Sequence, residues 1–514
     1  MTISDRDGLS ALRAWAGFLA MCLGMFMAIL DIQIVASSLP EIQAAFDIPL
    51  DRLGWVQTAY LIAEVVAIPL TARLTRLLSL RGLFVSAVTG FALASLGCAL
   101  SHRFETLILF RIVQGFCGGV VIPAVFTAGF LLFPEGRRIL PTTVAGVFAM
   151  LAPTLGPVVG GYITETYSWH WLFLINLGPG ILVVPIVAWS IRIGRPDWRL
   201  LPHLDYIGVG LLALGLGSLE ILLKEGPKHG WAGGLVFFPL ALCLIGGGGA
   251  IQRCLHRADP IVELRLLGDR GFAMSCIYSF VLGTGLYASV YLLPLFLGLV
   301  REHTPLEIGE IMIVCGVAQL AIAPLAAAAE RRFDPRLLTA AGYALFGAGL
   351  LTNGVATYET DFRGLLGPQI LRGAGLMLCL LPTTTIALGA RSGDMLANAS
   401  ALFNLMRNLG GAIGISLVDT ILERRPPVHV AELVARLQAG DPDAARIVGL
   451  PVEKFHGVAM APVDQATKEA VATLVERAAL VMSFNEAWLL FGFLFALAAL
   501  AAPLIPRIDP KRLG

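Results

Sequence analysis

Apolar runs of membrane-spanning length recur along the chain from Ala14 to Ile505, and short polar stretches separate them. A helix needs roughly 20 apolar residues to cross the hydrocarbon core of a bilayer, because each residue rises about 1.5 Å. The strands of a membrane barrel would instead give short alternating segments, which the sequence does not contain. Since lipid offers no partner to backbone groups outside a helix, the pattern predicts an all-α integral membrane protein.

The runs predict fourteen transmembrane helices, which places both termini on the same side of the membrane. The predicted spans begin near Ala14, Gly54, Gly82, Leu107, Pro141, Trp171, Asp205, Gly233, Gly271, Ile308, Leu337, Leu365, Ala397 and Ser483. With a cytoplasmic N-terminus, the cytoplasmic segments hold 21 Lys and Arg residues and the short external loops hold 6. The excess of basic residues in cytoplasmic loops therefore predicts that both termini are cytoplasmic.

Two pairs of similar segments indicate an internal repeat with an offset near 255 residues. Span 2 ends in Ala67–Leu70 and span 10 in Ile322–Leu325, and in each case an arginine follows the proline by twelve residues. The glycine-rich stretches of spans 5 and 13, Leu155–Gly161 and Leu409–Gly414, match at nearly the same offset. We therefore predict a six-helix half in residues 1–200, two inserted helices in 201–262 and a second six-helix half in 263–514.

One long external stretch, at about 424–482, joins the last two spans. Its part from Gln465 to Met482 has helical periodicity, with Val471 and Val475 among the apolar positions. The simpler interpretation is an amphipathic helix that rests on the outer membrane face. The alternative is a docking surface for a periplasmic partner.

Composition narrows the class of function. The chain is 57% hydrophobic and 14% charged, and its formal net charge is +1. A soluble domain carries about 25% charged residues, and a near-neutral chain does not suggest a nucleic-acid partner. The eight histidines are scattered over loops and span ends without the spacing of metal ligands. We expect no enzyme activity and no cofactor.

Ionisable residues inside apolar runs are functional candidates, because placing them in a membrane is costly. They are Asp31, Glu64, Arg111, Glu220, Arg372, Arg407 and Asp419. Asp31 lies late in outward-running span 1 and Arg111 lies early in inward-running span 4, so both belong to the outer half of the membrane at comparable depth. Glu64 lies near the middle of span 2. Glu220 is the weakest candidate, because it lies on an inserted span outside the two six-helix halves.

Asp31, Arg111 and Glu64 are predicted to couple transport to protons. A carboxyl group in a low-dielectric cavity favours its neutral form, and a nearby arginine favours the charged form. Such a group can load and release a proton if its surroundings change between two states. The alternative is a static ion pair that fixes helix packing. The residues that we expect to line a substrate cavity are Gln33, Gln57, Tyr60, Tyr287, Asn404 and Arg407.

Small residues in span 5 predict close helix packing. Gly156, Gly160 and Gly161 let a neighbouring helix approach, and Pro157 removes one backbone hydrogen bond and can bend the helix. A hinge and tight packing without motion remain equal alternatives for this segment.

Motifs in several spans carry a resemblance to a known family. They are Leu30–Pro40 in span 1, Trp55–Tyr60 in span 2, Arg111–Gly115 with Gly118 and Gly119 in span 4, Gly156–Gly161 in span 5, Trp169–Asn176 before span 6 and Phe403–Gly411 in span 13. At these residues the chain resembles the major facilitator superfamily, and more narrowly its fourteen-helix drug/proton antiporters of the EmrB/QacA type. The resemblance covers essentially the whole chain.

The resemblance implies an exporter of the cytoplasmic (inner) membrane that works by alternating access and uses no ATP. Asp31 and Arg111 would belong to the proton-coupling machinery. Gln114 and Gly115 belong to the fourth-helix motif, and Gly156–Gly161 is similar to the motif that accompanies export. The cargo would be small amphipathic drugs, and the alternative cargo is an endogenous metabolite, fatty acid or siderophore. A periplasmic membrane-fusion protein and an outer-membrane channel are the implied partners.

One stretch departs from the family pattern. In the loop between spans 2 and 3, Ala72, Arg76 and Ser79 stand where glycine, aspartate and glycine are expected. Because the expected aspartate is absent, this departure puts in doubt the charge contact that stabilises the outward-facing state in the family.

Overall fold

The computed structural model describes residues 7–36, 39–48, 52, 54–134, 137–257, 259–389, 391–455 and 465–506, and within these ranges it is helical without a β-strand. The helices are α1 (Asp7–Ala36), α2 (Leu39–Phe46), α3 (Trp55–Ala99), α4 (Phe104–Leu132), α5 (Ile139–Thr166), α6 (His170–Leu174), α7 (Leu177–Ser190), α8 (Tyr206–Lys228), α9 (Gly234–His256), α10 (Arg270–Leu299), α11 (Pro305–Glu330), α12 (Pro335–Asn353), α13 (Phe362–Leu388), α14 (Gly393–Gln438), α15 (Pro442–Val448) and α16 (Gln465–Ala501).

Among the described residues, eleven helices are long and apolar enough to cross a membrane, or twelve if the bent α5 is one span. The predicted all-α membrane fold is therefore confirmed, while length and apolarity alone identify eleven or twelve of the fourteen predicted spans. Helix α3 has 45 residues. One straight helix of 45 residues would be about 68 Å long at about 1.5 Å per residue, which is twice the roughly 30 Å of a hydrocarbon core. The chain instead turns back on itself, because Val56 contacts Arg111 of α4 and Ser95 contacts Gln114 of the same helix.

The long helix α3 is interrupted at Ser79, whose backbone has φ 66° and ψ 161°. A side chain is strained in this region, which is normally adopted by glycine and costs about 1–3 kcal/mol for other residues. The Ser79 hydroxyl partly offsets this cost by accepting a hydrogen bond from the backbone N–H of Gly82 at 3.2 Å. The chain thus turns where the family pattern has glycine, although serine occupies the position.

Two sets of helices pack within themselves and then against each other. Before residue 200, α3 packs along α4, and α1 packs on α5 and α7. After residue 263, α10 packs along α14, and α12 packs on α13 and α16. The contacts between the sets run mainly through α5 with α11 and through α3 with α14.

The inserted helices α8 and α9 pack on each other, and α8 also contacts α3 and α14. The hydroxyl of Ser416 on α14 donates to the carbonyl of Leu223 on α8 at 2.7 Å. A Cβ added to Gly217 on α8 would lie 3.3 Å from Ile62 on α3. Helix α8 therefore lies against both sets of helices at their junction.

The prediction that Gln465–Met482 forms an amphipathic helix on the outer membrane face is wrong. This segment is the beginning of α16 and continues without a break into the last apolar helix. Its buried side chains Val475 and Ala478 pack on Leu433 and Leu437 of α14, with α15 beside them. Periodicity revealed an apolar face, but that face is covered by protein rather than by lipid.

Candidate functional site

The carboxylate of Asp31 on α1 is enclosed by three hydrogen-bond donors, two from α4 and one from the turn before α7. Its Oδ2 accepts from Arg111 Nη1 at 2.5 Å. Its Oδ1 accepts from Gln114 Nε2 at 2.9 Å and from Asn176 Nδ2 at 2.6 Å. Asp31, Arg111 and Gln114 are each 0% exposed. The ion pair is thus formed inside the bundle, where its desolvation is costly unless donors surround it.

Arg111 is held by contacts beyond the carboxylate. Its Nε donates to the backbone carbonyl of Val56 at 3.0 Å, and its guanidinium lies over the ring of Tyr60, with 4.4 Å to the centroid. The Tyr60 hydroxyl in turn donates to the carbonyl of Ala28 at 3.1 Å. Nη2 of Arg111 has no hydrogen-bond partner among the described residues. Nη2 is therefore the one nitrogen of this guanidinium that makes no hydrogen bond within the described residues.

Glycines of α4 bring that helix onto α3. A Cβ on Gly115 would lie 2.2 Å from the carbonyl oxygen of Tyr60, and one on Gly119 would lie 2.5 Å from that of Glu64. Because real Cβ atoms do not approach backbone oxygens so closely, a side chain at either position would push the helices apart. The fourth-helix motif thus determines how close Arg111 comes to α3.

The span 5 motif lies at a bend of α5. The segments Ile139–Pro153 and Val158–Thr166 meet at 47°, and Gly156 and Pro157 lie between them. A Cβ on Gly156 would lie 2.2 Å from the Cβ of Gln33 on α1, two residues after Asp31. Gly160 and Gly161 are also buried. The motif therefore contacts the helix that carries the buried carboxylate.

Glu64 lies at the junction of α3 with α14. It is 2% exposed and accepts a long hydrogen bond of 3.5 Å from Asn408 Nδ2. The hydroxyl of Tyr287 donates to the Oδ1 of the same asparagine, also at 3.5 Å. Beside it, Arg407 Nη2 donates to Asn404 Oδ1 at 2.6 Å. The structure thus brings Glu64, Tyr287, Asn404 and Arg407 together, as a cavity lining would require.

The other predicted cavity residues have different environments. Gln57 donates through Nε2 to the carbonyl of Ile32 at 3.3 Å. Gln33 packs against Gly156, and Tyr60 is 0% exposed beneath Arg111. These three side chains connect α1 to α3, α4 and α5.

A second arginine cluster lies after residue 263 and holds no acidic side chain among the described contacts of Arg372. Arg372 on α13 donates from Nη1 to Gln369 Oε1 at 2.8 Å and from Nη2 to the hydroxyl of Ser289 on α10 at 2.6 Å. It is 2% exposed, and its Nε has no partner among the described residues. An arginine and a glutamine one turn apart thus occur in both sets of helices. The acceptor from another helix is the Asp31 carboxylate in the first set and the Ser289 hydroxyl in the second.

Ion pairs connect the helix ends at what we term the basic end of the bundle, the end that holds Arg73, Arg76, Arg138 and Arg391. Arg76 Nε lies 3.3 Å from Asp394 Oδ2 in the first turn of α14. Arg73 and Arg76 both pair with Asp259, which follows the inserted helices. Arg138 Nη1 also donates to the carbonyl of Gly389 at 3.2 Å. The two sets of helices are therefore joined at this end.

Sequence reasoning missed Asn176 and Asn408 as polar partners of the buried carboxylates, and Ser95 as the partner of Gln114 and Asn176. Asn176 Nδ2 lies 3.2 Å from the Ser95 hydroxyl, which also accepts from Gln114 at 2.7 Å. Asn176 ends the family-like stretch before span 6, so its place in that motif was an available signal. Asn408 likewise lies within the family-like stretch Phe403–Gly411. Nothing in the sequence marks Ser95, because polar uncharged residues are common in helices.

A sequence profile described as Major Facilitator Superfamily matches residues 21–415. The chain belongs to this superfamily. It is therefore a transporter rather than an enzyme, and the resemblance read from the motifs is confirmed. The fold agrees: the proton:xylose symporter XylE, bound to 6-bromo-6-deoxy-D-glucose, aligns with a TM-score of 0.59 at 13% identity over 98% of each chain.

Relatives in the superfamily include named resistance and export proteins. The chain is 40% identical to the colistin resistance protein EmrB of Acinetobacter baumannii over 421 residues, which cover 82% of each protein. It is 28% identical to the multidrug export protein EmrB of Escherichia coli K12 over 94% of this chain and 93% of that protein. The fatty acid resistance protein FarB of Neisseria gonorrhoeae is 31% identical over 81% of this chain and 82% of that protein.

Proposed function

We propose that the chain exports small amphipathic compounds across the cytoplasmic (inner) membrane by alternating access, in exchange for protons. The observation that carries this proposal is the Asp31–Arg111 pair, a fully buried carboxylate with three donors in a superfamily transporter. A buried ionisable pair inside a membrane is costly, so it is retained where it acts. The names of the relatives support export of drugs and resistance to them.

Proton exchange requires that Asp31 meets different surroundings in two states. In the present arrangement both of its oxygens act only as acceptors, and Arg111 neutralises the charge. If α1 moves relative to α4, the donors separate and the carboxyl group can take a proton instead. Release of that proton then accompanies re-formation of the pair, which links proton movement to the change of state.

A dedicated exporter of an endogenous metabolite or fatty acid is the second candidate. The relative named for fatty acid resistance and the acid-free Arg372 cluster favour it, because a buried guanidinium suits a carboxylate headgroup. The drug exporter remains the preferred function, since the relative at 40% identity is named for colistin resistance and the Escherichia coli relative that covers 94% of this chain is named for multidrug export.

The proposed architecture has fourteen spans. It counts α3 as two spans that meet at Ser79, α5 as one bent span and α12 as a further span. The two six-helix halves would then be residues 1–200 and 263–514, with α8 and α9 inserted in 201–262. The basic end would face the cytoplasm with both termini, because basic residues favour that side.

The segment around the beginning of α16 is the proposed contact for a periplasmic membrane-fusion protein, which would connect to an outer-membrane channel. It has its own small apolar core, formed with α14 and α15. Deletion of 430–480 should spare transport in inner-membrane vesicles and reduce efflux from intact cells. Equal loss in both assays would contradict the partner role and indicate misfolding.

The test of proton exchange uses proteoliposomes that hold the purified chain. Addition of an amphipathic substrate should release protons with the native chain and not with Asp31→Asn, while substrate binding is retained. Glu105→Gln is the matched control, because Glu105 is an exposed carboxylate in the first turn of α4, the helix that carries Arg111. Full proton release by Asp31→Asn would overturn the coupling role.

A further inference from the structure

A cavity of about 210 Å³ lies between the first set of helices and the inserted helices, near the basic end of the bundle. Its walls come from α3, from the segment before α8, from the first turn of α8 and from the residues that follow α9. Six of the lining side chains are aliphatic: Leu70, Leu74, Leu200, Leu204, Val209 and Ile261. Burial of a hydrocarbon chain against such a lining is favourable, because it removes apolar surface from water.

The cavity lies in the part of the membrane next to the basic end. Leu70 precedes the break at Ser79 by nine residues, so it lies about 14 Å from that turn at about 1.5 Å per residue. Val209 lies only three residues after the beginning of α8. Since the hydrocarbon core is roughly 30 Å thick, the cavity reaches no deeper than about the middle of the bilayer. This is the depth of the acyl chains of one leaflet.

The segment between α7 and α8 covers the cavity and carries exposed aromatic side chains. It crosses the break in α3, where the backbone N–H of Asp197 donates to the carbonyl of Leu77 at 3.0 Å. Its 3₁₀ helix Trp198–His203 forms part of the wall. Trp198 and Tyr206 are each 61% exposed, and such aromatic residues are typical of the boundary between headgroups and hydrocarbon. Because Tyr206 also lines the cavity, the opening lies at this boundary.

Each carboxylate in the lining is paired with two arginines. Asp205 Oδ1 lies 2.7 Å from Arg253 Nε and 3.1 Å from Arg257 Nη1. The other carboxylate, Asp259, forms the two ion pairs at the basic end that were described above. The side chains of Arg253 and Arg257 are 32% and 37% exposed. Their remaining nitrogens can therefore donate to a further anion at the opening.

The net charge around the opening is positive. The four arginines that pair with the lining carboxylates are joined by Arg192, Arg195 and Arg199 of the segment before α8. Against these seven arginines stand four aspartates, namely the two in the lining, Asp197 and Asp394. The balance is a formal charge of +3. Basic pockets between transmembrane helices bind anionic lipid headgroups, so the charge favours an anionic lipid over a neutral one.

We propose that this cavity binds an anionic phospholipid of the leaflet next to the basic end. One acyl chain enters the cavity, and the headgroup phosphate lies at the opening beside Arg253 and Arg257. The volume favours a single chain over a transported compound, because pockets for drug-sized ligands measure about 300–1,000 Å³. The bound lipid joins α3 to the inserted helices. This site is independent of the cargo and of proton exchange.

Mass spectrometry of the intact purified chain in detergent tests the site, with phosphatidylglycerol and phosphatidylcholine of equal chain length as probes. The native chain should bind one phosphatidylglycerol at least tenfold more tightly than phosphatidylcholine. Arg257→Gln should weaken its binding about fivefold, while Asp205 keeps its contact with Arg253, and Arg257→Lys should restore most of the affinity. Arg332→Gln is the matched control, because Arg332 is an exposed arginine in the turn between α11 and α12. Equal binding of both lipids, or native affinity in Arg257→Gln, would overturn the proposal.

Val209→Trp tests the cavity, because the larger side chain fills part of its space. It should weaken phosphatidylglycerol binding at least tenfold. Leu214→Trp is the control on the same helix, since Leu214 is 37% exposed and does not line the cavity. Equal thermal unfolding midpoints of the two variants without lipid would exclude misfolding as the cause. Native affinity in Val209→Trp would show that no acyl chain occupies the cavity.

Glycerol 1-phosphate distinguishes a lipid site from a site for a soluble phosphate. It carries the same anionic group without acyl chains, so a millimolar concentration should leave phosphatidylglycerol bound to the native chain. Displacement of the lipid by this compound would overturn the proposal in favour of a soluble anion.

Discussion

The guanidinium of Arg76 lies 3.3 Å from the carboxylate of Asp394, and this ion pair joins the loop region of α3 to the first turn of α14. Arg76 stands where the family pattern has an aspartate, so the acidic partner is on the opposite helix here. Asp394 also lies at a helix N-terminus, where a negative charge is favourable. A charge contact is thus present at this position although the expected aspartate is absent.

Reversal of the charge at Arg76 should weaken the contact that joins the two sets of helices at the basic end. Asp394 is more than half exposed, so the pair contributes about 0.2–1 kcal/mol, which is up to about fivefold in a conformational equilibrium. Arg76→Asp should increase the labelling of a cysteine placed at this end by up to about fivefold. Arg76→Asp combined with Asp394→Arg should restore part of the native value, because the exchange re-forms this pair but not the contact of Arg76 with Asp259.

Arg332→Asp is the control for this experiment, because Arg332 is an exposed arginine in the turn between α11 and α12. It should leave the labelling unchanged. If the double exchange labels as strongly as Arg76→Asp alone, the ion pair does not hold this end closed.

Ser79→Gly should stabilise the protein. Glycine removes a backbone cost of about 1–3 kcal/mol and loses one hydrogen bond worth about 1 kcal/mol. We therefore expect a gain of about 1 kcal/mol, seen as a higher midpoint of thermal unfolding in detergent. Ser86→Gly, in the regular part of the same helix, should lower the midpoint. A lower midpoint for Ser79→Gly would show that the backbone is not strained there.

Gly156→Ala should destabilise the contact between α5 and α1 by about 1–3 kcal/mol, because the added methyl group overlaps the Cβ of Gln33. Since the overlap is with the Cβ itself, Gln33→Ala should not rescue the variant and Gln33→Gly should. Thermal unfolding and proton release would both be measured. Gly178→Ala is the control, because a methyl group there meets no atom within 4 Å.

The contact of Asp259 with Arg73 should be insensitive to pH in the physiological range. The hydrogen bond from Arg73 holds the pKa of the Asp259 carboxyl below its ordinary value of 3.8, and Arg76 adds to this effect. A lowered folded-state pKa stabilises the contact above 3.8, and the stabilisation is lost only as the pH falls through the lowered value.

Spin labels at the exposed residues Arg81 and Leu267 would measure this insensitivity. Their distance should stay constant from about pH 8 to about pH 5, while Asp259→Asn should widen the distribution throughout this range. A distance that changes near pH 6 in the native chain would contradict the prediction.

The sequence predicted the helical membrane fold because a long apolar run in lipid satisfies its backbone hydrogen bonds as a helix. It also predicted that Asp31 and Arg111 share a depth, since helix rise converts position into depth. It could not predict that Asn176 and Ser95 complete that cluster, because this depends on how α1, α3, α4 and the turn before α7 meet. Their roles in transport remain predictions.

The inserted helices show where sequence reasoning stopped. The sequence makes Glu220 the weakest candidate because α8 lies outside the repeat, yet α8 packs against both α3 and α14. The prediction for the segment at Gln465–Met482 was wrong for a related reason. A periodic apolar face shows that something covers a helix, but it does not distinguish lipid from the neighbouring α14.

The Arg372 cluster makes the bundle electrically unequal. The Asp31–Arg111 pair carries no net charge, whereas Arg372 carries one charge that none of its described contacts balances. A full charge moved across a membrane voltage of 100 mV changes the energy by about 2.3 kcal/mol. A change of state that carries Arg372 through part of the field therefore involves electrical work even with a neutral cargo. The sign of the membrane voltage then decides which of the two states is favoured.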